Sequence, residues 1–239
     1  MNSTSNLLSR NSKVSAIAIA LLGLTISFTA CKNDDDYVEQ PITALSITNA
    51  APTLGTVKFY LDNQIVGSSA LPYPKRYDYV RAYSGTRTGK VTDSATNTEK
   101  YLKSFNLIAG KYQSLYIIKQ NDTLSYAVYT DEIKETAGKA QIRFINLSAD
   151  APALSLVLEG DTTTFNNRIF KAATPFKNVA PAKYTLSLKN TSTGTVVATL
   201  SDVTLVKDGY YTIWARGLST LITNTVNDPQ KLGIEVDKL

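Results

Sequence analysis

Tyr73, Arg76, Tyr77, Tyr79, Arg81 and Tyr83, with Arg87 just beyond, are the residues of this chain best suited to chemistry at a surface. Tyrosine faces stack on sugar rings, and arginine binds hydroxyls and acidic groups. The same two residue types dominate protein interfaces. The run therefore reads as a ligand or partner site for a glycan or a surface protein. Its alternation fits equally a strand that shows Tyr77, Tyr79, Arg81 and Tyr83 on one half-exposed face.

Catalytic constellations are scarce. The chain has no histidine, which removes the commonest general base and metal ligand. A serine nucleophile would need a lysine or an unusual pair beside it, and no Ser-x-x-Lys stands in a fitting context. Glycoside hydrolysis needs two carboxylates across a cleft. Asp150, Glu159 and Asp161 are the available acids, and all fall at expected turns, where carboxylates usually hold the backbone. No calcium-loop spacing and no phosphate-binding glycine motif occurs. The expectation is a protein without catalysis, cofactor or metal. The net charge of +5 falls to about +3 beyond residue 30, too mild an excess for a nucleic-acid partner.

Cys31 is the single cysteine, so one chain can form no internal disulfide or zinc cluster. It follows a polar stretch carrying Arg10 and Lys13, then an apolar run over residues 14–28 of signal-peptide length. The sequence Phe28-Thr29-Ala30-Cys31 resembles the lipobox of lipoprotein signal peptidase, with Phe28 where leucine is usual. The resemblance implies cleavage before Cys31 and lipid on its thiol, with each buried methylene contributing about 0.8 kcal/mol. Lys32, Asn33, Asp34, Asp35 and Asp36 follow. This acidic run resembles the surface-export signal of Bacteroidetes lipoproteins. The expected location is the outer membrane, lipid-anchored, at the cell surface.

The elements that would position the Tyr-Arg run are strands. Beyond residue 30 no apolar stretch keeps a helical period. Two halves repeat weakly. Residues 45–49 match 142–146, 57–63 match 154–160, and 105–112 match 203–211. In both halves a leucine, a glycine and a tyrosine (Tyr112, Tyr211) have the spacing of a tyrosine corner. The fold class expected is all-β: two tandem immunoglobulin-like (Greek-key) β-sandwiches. The boundaries are a signal peptide at 1–30, a lipidated acidic tether at 31–41, and sandwiches at 42–133 and 140–228. A linker spans 134–139, and residues 229–239 form a tail or edge strand.

The second half carries a family resemblance. Residues 140–152, with their Asn146 and the Ser148-Ala-Asp-Ala-Pro152 turn, resemble the opening of DUF4397, a domain of unknown function. The Tyr184-Thr-Leu and Gly209-Tyr-Tyr-Thr segments suit that family too. The resemblance covers most of 140–218, with a degenerate copy over 42–133 whose turn lacks the aspartate. It implies a sandwich fold in secreted and surface proteins and brings no catalytic residues. Three short sequences at Ser94, Thr123 and Thr162 resemble the Asp-Ser/Thr O-glycosylation signal of exported Bacteroidetes proteins. The reading that follows is a surface lipoprotein acting as a non-catalytic binding or adhesion module. The rivals are an accessory subunit of a surface assembly and, third, an unusual hydrolase.

Overall fold

A computed structural model describes residues 40–134, 136–221, 225 and 228–239. Cys31 and the residues 32–36 lie outside these. The described chain is all-β, with no helix among the described residues.

The first eight strands are β1 (Ile42–Asn49), β2 (Val57–Leu61), β3 (Gln64–Leu71), β4 (Arg76–Tyr83), β5 (Gly85–Asp93), β6 (Glu99–Leu107), β7 (Tyr112–Gln120) and β8 (Thr123–Thr130). They form two sheets in the orders β4-β1-β7-β8 and β3-β2-β5-β6. The second eight are β9 (Ala140–Asn146), β10 (Leu154–Leu158), β11 (Phe165–Arg168), β12 (Lys177–Val179), β13 (Ala182–Asn190), β14 (Val196–Leu205), β15 (Tyr210–Arg216) and β16 (Gly233–Lys238). Their orders, β12-β9-β15-β16 and β11-β10-β13-β14, repeat the first set strand for strand. In each half the first and seventh strands run parallel; the other pairs are antiparallel. The last strand, β16, pairs along β15 and occupies the edge that β8 takes in the first half.

Each half closes on its own core. Leu45, Ile47, Phe59, Val91, Leu115 and Ile117 fill the first. Phe144, Leu156, Phe165, Leu186 and Ile213 fill the second. The central strands β1, β7, β9 and β15 are buried on both faces, because the β4-β1-β7-β8 sheet packs on the β12-β9-β15-β16 sheet. Tyr116 and Trp214 occupy equivalent places in β7 and β15. They meet edge to face in this layer, with centroids 5.9 Å apart and neither exposed. Residues 40–239 form one compact unit.

The repeat holds at single atoms. The amide of Asn49 donates to the carbonyls of Gly55 and Leu71 and accepts from the Ala51 N–H. Asn146 does the same with Pro152, Arg168 and Ser148. Each buried asparagine ties the end of a first strand to two loops, and so satisfies backbone groups that water cannot reach. The corner is kept unevenly. Tyr211 accepts a hydrogen bond from the Val206 N–H at 3.1 Å. Its register partner in the first half is Gln113, which accepts from the Ile108 N–H at 2.7 Å. Tyr112 sits one position earlier, half-exposed, its ring edge-on to Tyr79.

Candidate binding groove

The β2–β3 hairpin turns through Asp62 and Asn63, both at positive φ, as a two-residue turn of matching twist requires. Asp62 accepts from the Thr88 N–H at 2.8 Å and pairs with Arg87 at 3.1 Å. Beyond the turn Gly67, with φ +80°, lets β3 press against Tyr77; a Cβ there would lie 2.7 Å from the ring. The β3 and β4 edges meet at this contact. Between them opens a groove of about 740 Å³. Its floor is aliphatic, from Leu61, Val66, Val80 and Ala82, and its rim carries Ile65, Gln64, Arg81, Tyr83 and the Arg87–Asp62 pair.

The Tyr-Arg run is thus divided, not presented as one face. A bulge in β4 shifts the register between the Leu45–Val80 and Ile47–Tyr77 pairs. It turns Tyr77 onto the first core, beside Val80, while Tyr79 points the other way. Arg76, Tyr79 and Tyr73 belong to the seam between the halves. Arg76 donates to the Lys238 carbonyl at 2.7 Å and lies over the Tyr79 ring. Tyr79 donates to Asp131 at 2.5 Å. Burial pushes the Tyr73 and Tyr79 phenols well above the usual range. Only Arg81 and Tyr83 of the six line the groove, Tyr83 half-exposed and Arg81 without an ion pair among the described residues. Sequence reading missed Gln64 and Ile65. The turn signal at Asp62-Asn63 placed a hairpin there, but not the gap between its edge and β4.

The seam is built around a buried charge pair. Asp131, just past β8, pairs with Arg143 of β9 and accepts from the Ser114 hydroxyl at 2.8 Å. The guanidinium also donates to Thr212 at 2.8 Å and lies between the Tyr129 and Phe176 rings. Tyr129 is buried beside it, and its phenol is pushed up to about 12. Across the layer Trp214 donates to Asp237 at 3.0 Å. Burial raises the Asp237 carboxyl to about 6, with Arg76 and the indole N–H pulling it down less strongly.

The acids considered for catalysis are occupied in turns. Asp150 accepts from the Ser219 and Thr220 N–H groups at 2.7 and 2.9 Å and from the Thr220 hydroxyl at 2.6 Å. Burial pushes its pKa up, but these donors outweigh that and hold it below the usual value. Asp161 accepts from the Thr163 N–H at 2.6 Å, and Glu159 from the Ser187 hydroxyl at 3.4 Å. In the first half Thr53 stands where Asp150 does and is held by Lys119 at 3.1 Å. Ser94, Thr123 and Thr162 all sit at turns or strand ends; Thr123 and Thr162 are exposed and Ser94 is half-buried. Asp93 and Asp161 of these short sequences bind backbone N–H groups of their own turns. Among the described residues no three potential metal ligands converge.

Residues 43–157 match a family model described as a domain of unknown function, DUF4397. The matched stretch runs through the first sandwich and into β10 of the second. No curated protein matches the chain. Among solved structures, it is similar to a family-26 carbohydrate-binding module of Eubacterium rectale Amy13K in complex with maltoheptaose. Identity there is 10%, over 83% of this chain and 96% of that one, with a TM-score of 0.25. A candidate cell adhesion protein of Parabacteroides distasonis shares 8% identity over 82% of this chain and 99% of that one, TM-score 0.21. Another, of Bacteroides fragilis, shares 11% over 84% and 97%, TM-score 0.18.

Proposed function

Residues 43–157 match the DUF4397 model, and from that premise we propose that the chain is a lipid-anchored binding or adhesion module of a bacterial outer membrane, exposed at the cell surface and acting without catalysis. The groove between β3 and β4 is the observation that carries the binding reading. It is large enough for a ligand, apolar at its floor, and provided with a few polar groups that orient. Its rim cation, Arg81, has no ion pair among the described residues, and Tyr83 offers an exposed ring. Asp150, by contrast, already accepts from two backbone N–H groups and a hydroxyl, and Asp161 from a backbone N–H, which suits scaffolding and not proton transfer.

The anchor rests on the sequence around Cys31. The run from Cys31 to Gln40 reaches at most roughly 30 Å when extended, so the sandwiches would stay close to the membrane they are tied to. Metabolic labelling with a fatty acid should mark the protein and should fail on Cys31→Ser. Protease added to intact cells should digest it while a periplasmic marker survives. Protection from protease would move it to the periplasmic face and remove the reading of Asp34 to Asp36 as an export signal. For binding, glycan and matrix-protein arrays should give a ligand whose capture falls roughly tenfold or more with Arg81→Ala or Tyr83→Ala. A ligand indifferent to both substitutions would place the binding surface elsewhere.

A further inference from the structure

The groove lies between two strands that each have only one neighbour. β4 pairs with β1 alone and β3 with β2 alone. The direction of the free backbone groups on β4 follows from the ladder. The Ser84 N–H bonds the Pro41 carbonyl, and the Ala44 N–H turns away to Lys111. Residues 80, 82 and 84 therefore bond to β1, and the N–H and C=O groups of Arg81 and Tyr83 point outward along the groove. An edge of this kind is a template for another strand unless it is covered.

The second half shows what covering looks like. Strand pairing puts Lys177 of β12 where β4 has Val80, and Phe165 of β11 where β3 has Val66. Phe165 is fully buried, and the Lys177 ammonium lies 5.6 Å from its ring centre and donates to the Thr164 carbonyl at 2.7 Å. A phenyl ring and a lysine thus bridge the two edges from within. Two valines in the same places leave the first half open.

We propose that the occupant of this groove is an extended peptide segment of another protein, added as a strand along the outer edge of β4. It would place alternate apolar side chains on the aliphatic floor and an acidic side chain against Arg81. This deepens the binding reading above and rests on it. A glycan fits less well: sugar sites stack on aromatic faces, whereas here one tyrosine stands at the rim and the floor is aliphatic. Strand addition draws its affinity from main-chain hydrogen bonds and its specificity from pockets for alternate side chains, and both are on offer.

The test displays a library of random decapeptides to the protein and, in parallel, an array of glycans. Selected peptides should alternate apolar residues and contain an acid. Their binding should fall at least roughly tenfold further with Tyr83→Pro than with Tyr83→Ala, because both lose the ring but only proline removes the outward N–H while sparing the ladder to β1. Val80→Lys with Val66→Phe, copying the plug of the second half, should also abolish binding, and serves if the proline variant does not fold. Peptides that bind the proline and plugged variants as well as the parent overturn strand addition. So does a glycan captured in the groove with no peptide selected, although the binding reading then stands. Silence on both arms overturns the two together.

Discussion

Asp131 and Arg143 are both buried, and each is satisfied by a residue from the other half as well as by its own neighbours. Arg143→Met should therefore destabilise by about 3–5 kcal/mol, because it strands a buried carboxylate. The double variant with Asp131→Leu should recover most of the loss. A denaturant series on the three proteins checks this, and a double variant no better than the single would contradict it. Asp237 gives a pH dependence. Its folded pKa of about 6 lies above the ordinary 3.8, so the fold binds this proton more tightly than the unfolded chain does. That contribution is complete below about pH 4 and is lost as pH rises through 6. Asp237→Asn should accordingly gain on the order of 2 kcal/mol at pH 7.5 and nothing near pH 4. Equal gains at both pH values would show that the carboxylate is not the cause.

At the scale of the element, a single bulge decides the fate of the Tyr-Arg run. Without it β4 would keep its period of two, and Tyr77 and Tyr79 would share a face. With it Tyr77 enters the core and Tyr79 reaches Asp131, while Arg81 and Tyr83 are left for the groove. Gly67 lines that groove and packs against the Tyr77 ring. Gly67→Ala meets both a left-handed backbone and the Tyr77 ring, and should cost about 1–3 kcal/mol. Thermal unfolding of Gly67→Ala against Gly55→Ala separates the two causes, since Gly55 also has positive φ but open space around it. Equal losses would mean that the ring contact contributes nothing.

At the scale of the whole molecule, the layer between the halves makes them one body. Tyr116, Ile118, Ile145, Leu147 and Trp214 are buried in it, and neither half can cover these residues alone. Unfolding in denaturant should show one transition shared by Trp214 fluorescence and far-ultraviolet dichroism. Trp214→Ala should cost about 3–5 kcal/mol. Two separated transitions in the parent protein would mean that the halves fold independently and the layer adds little.

The all-β class, the repeat and its turns were legible because they are local. Alternation, glycine and Asx turns, and the matching Asn49 and Asn146 strands write themselves into short stretches of chain. The turn role of Asp161 was legible for the same reason, since it binds the N–H two residues on, whereas Asp150 takes its donors from Ser219 and Thr220, far along the chain. What surrounds the Tyr-Arg run was not. Whether Tyr79 is a ligand contact or a seam residue depends on Asp131, 52 residues away, and on a bulge that no residue type announces. The groove exists because two valines on different strands, Val66 and Val80, face one gap, a fact of pairing and not of order along the chain. Sequence determines which segments become strands, since that choice is made among neighbours. Tertiary structure decides which of their faces remain open, since that depends on side chains brought together from distant positions.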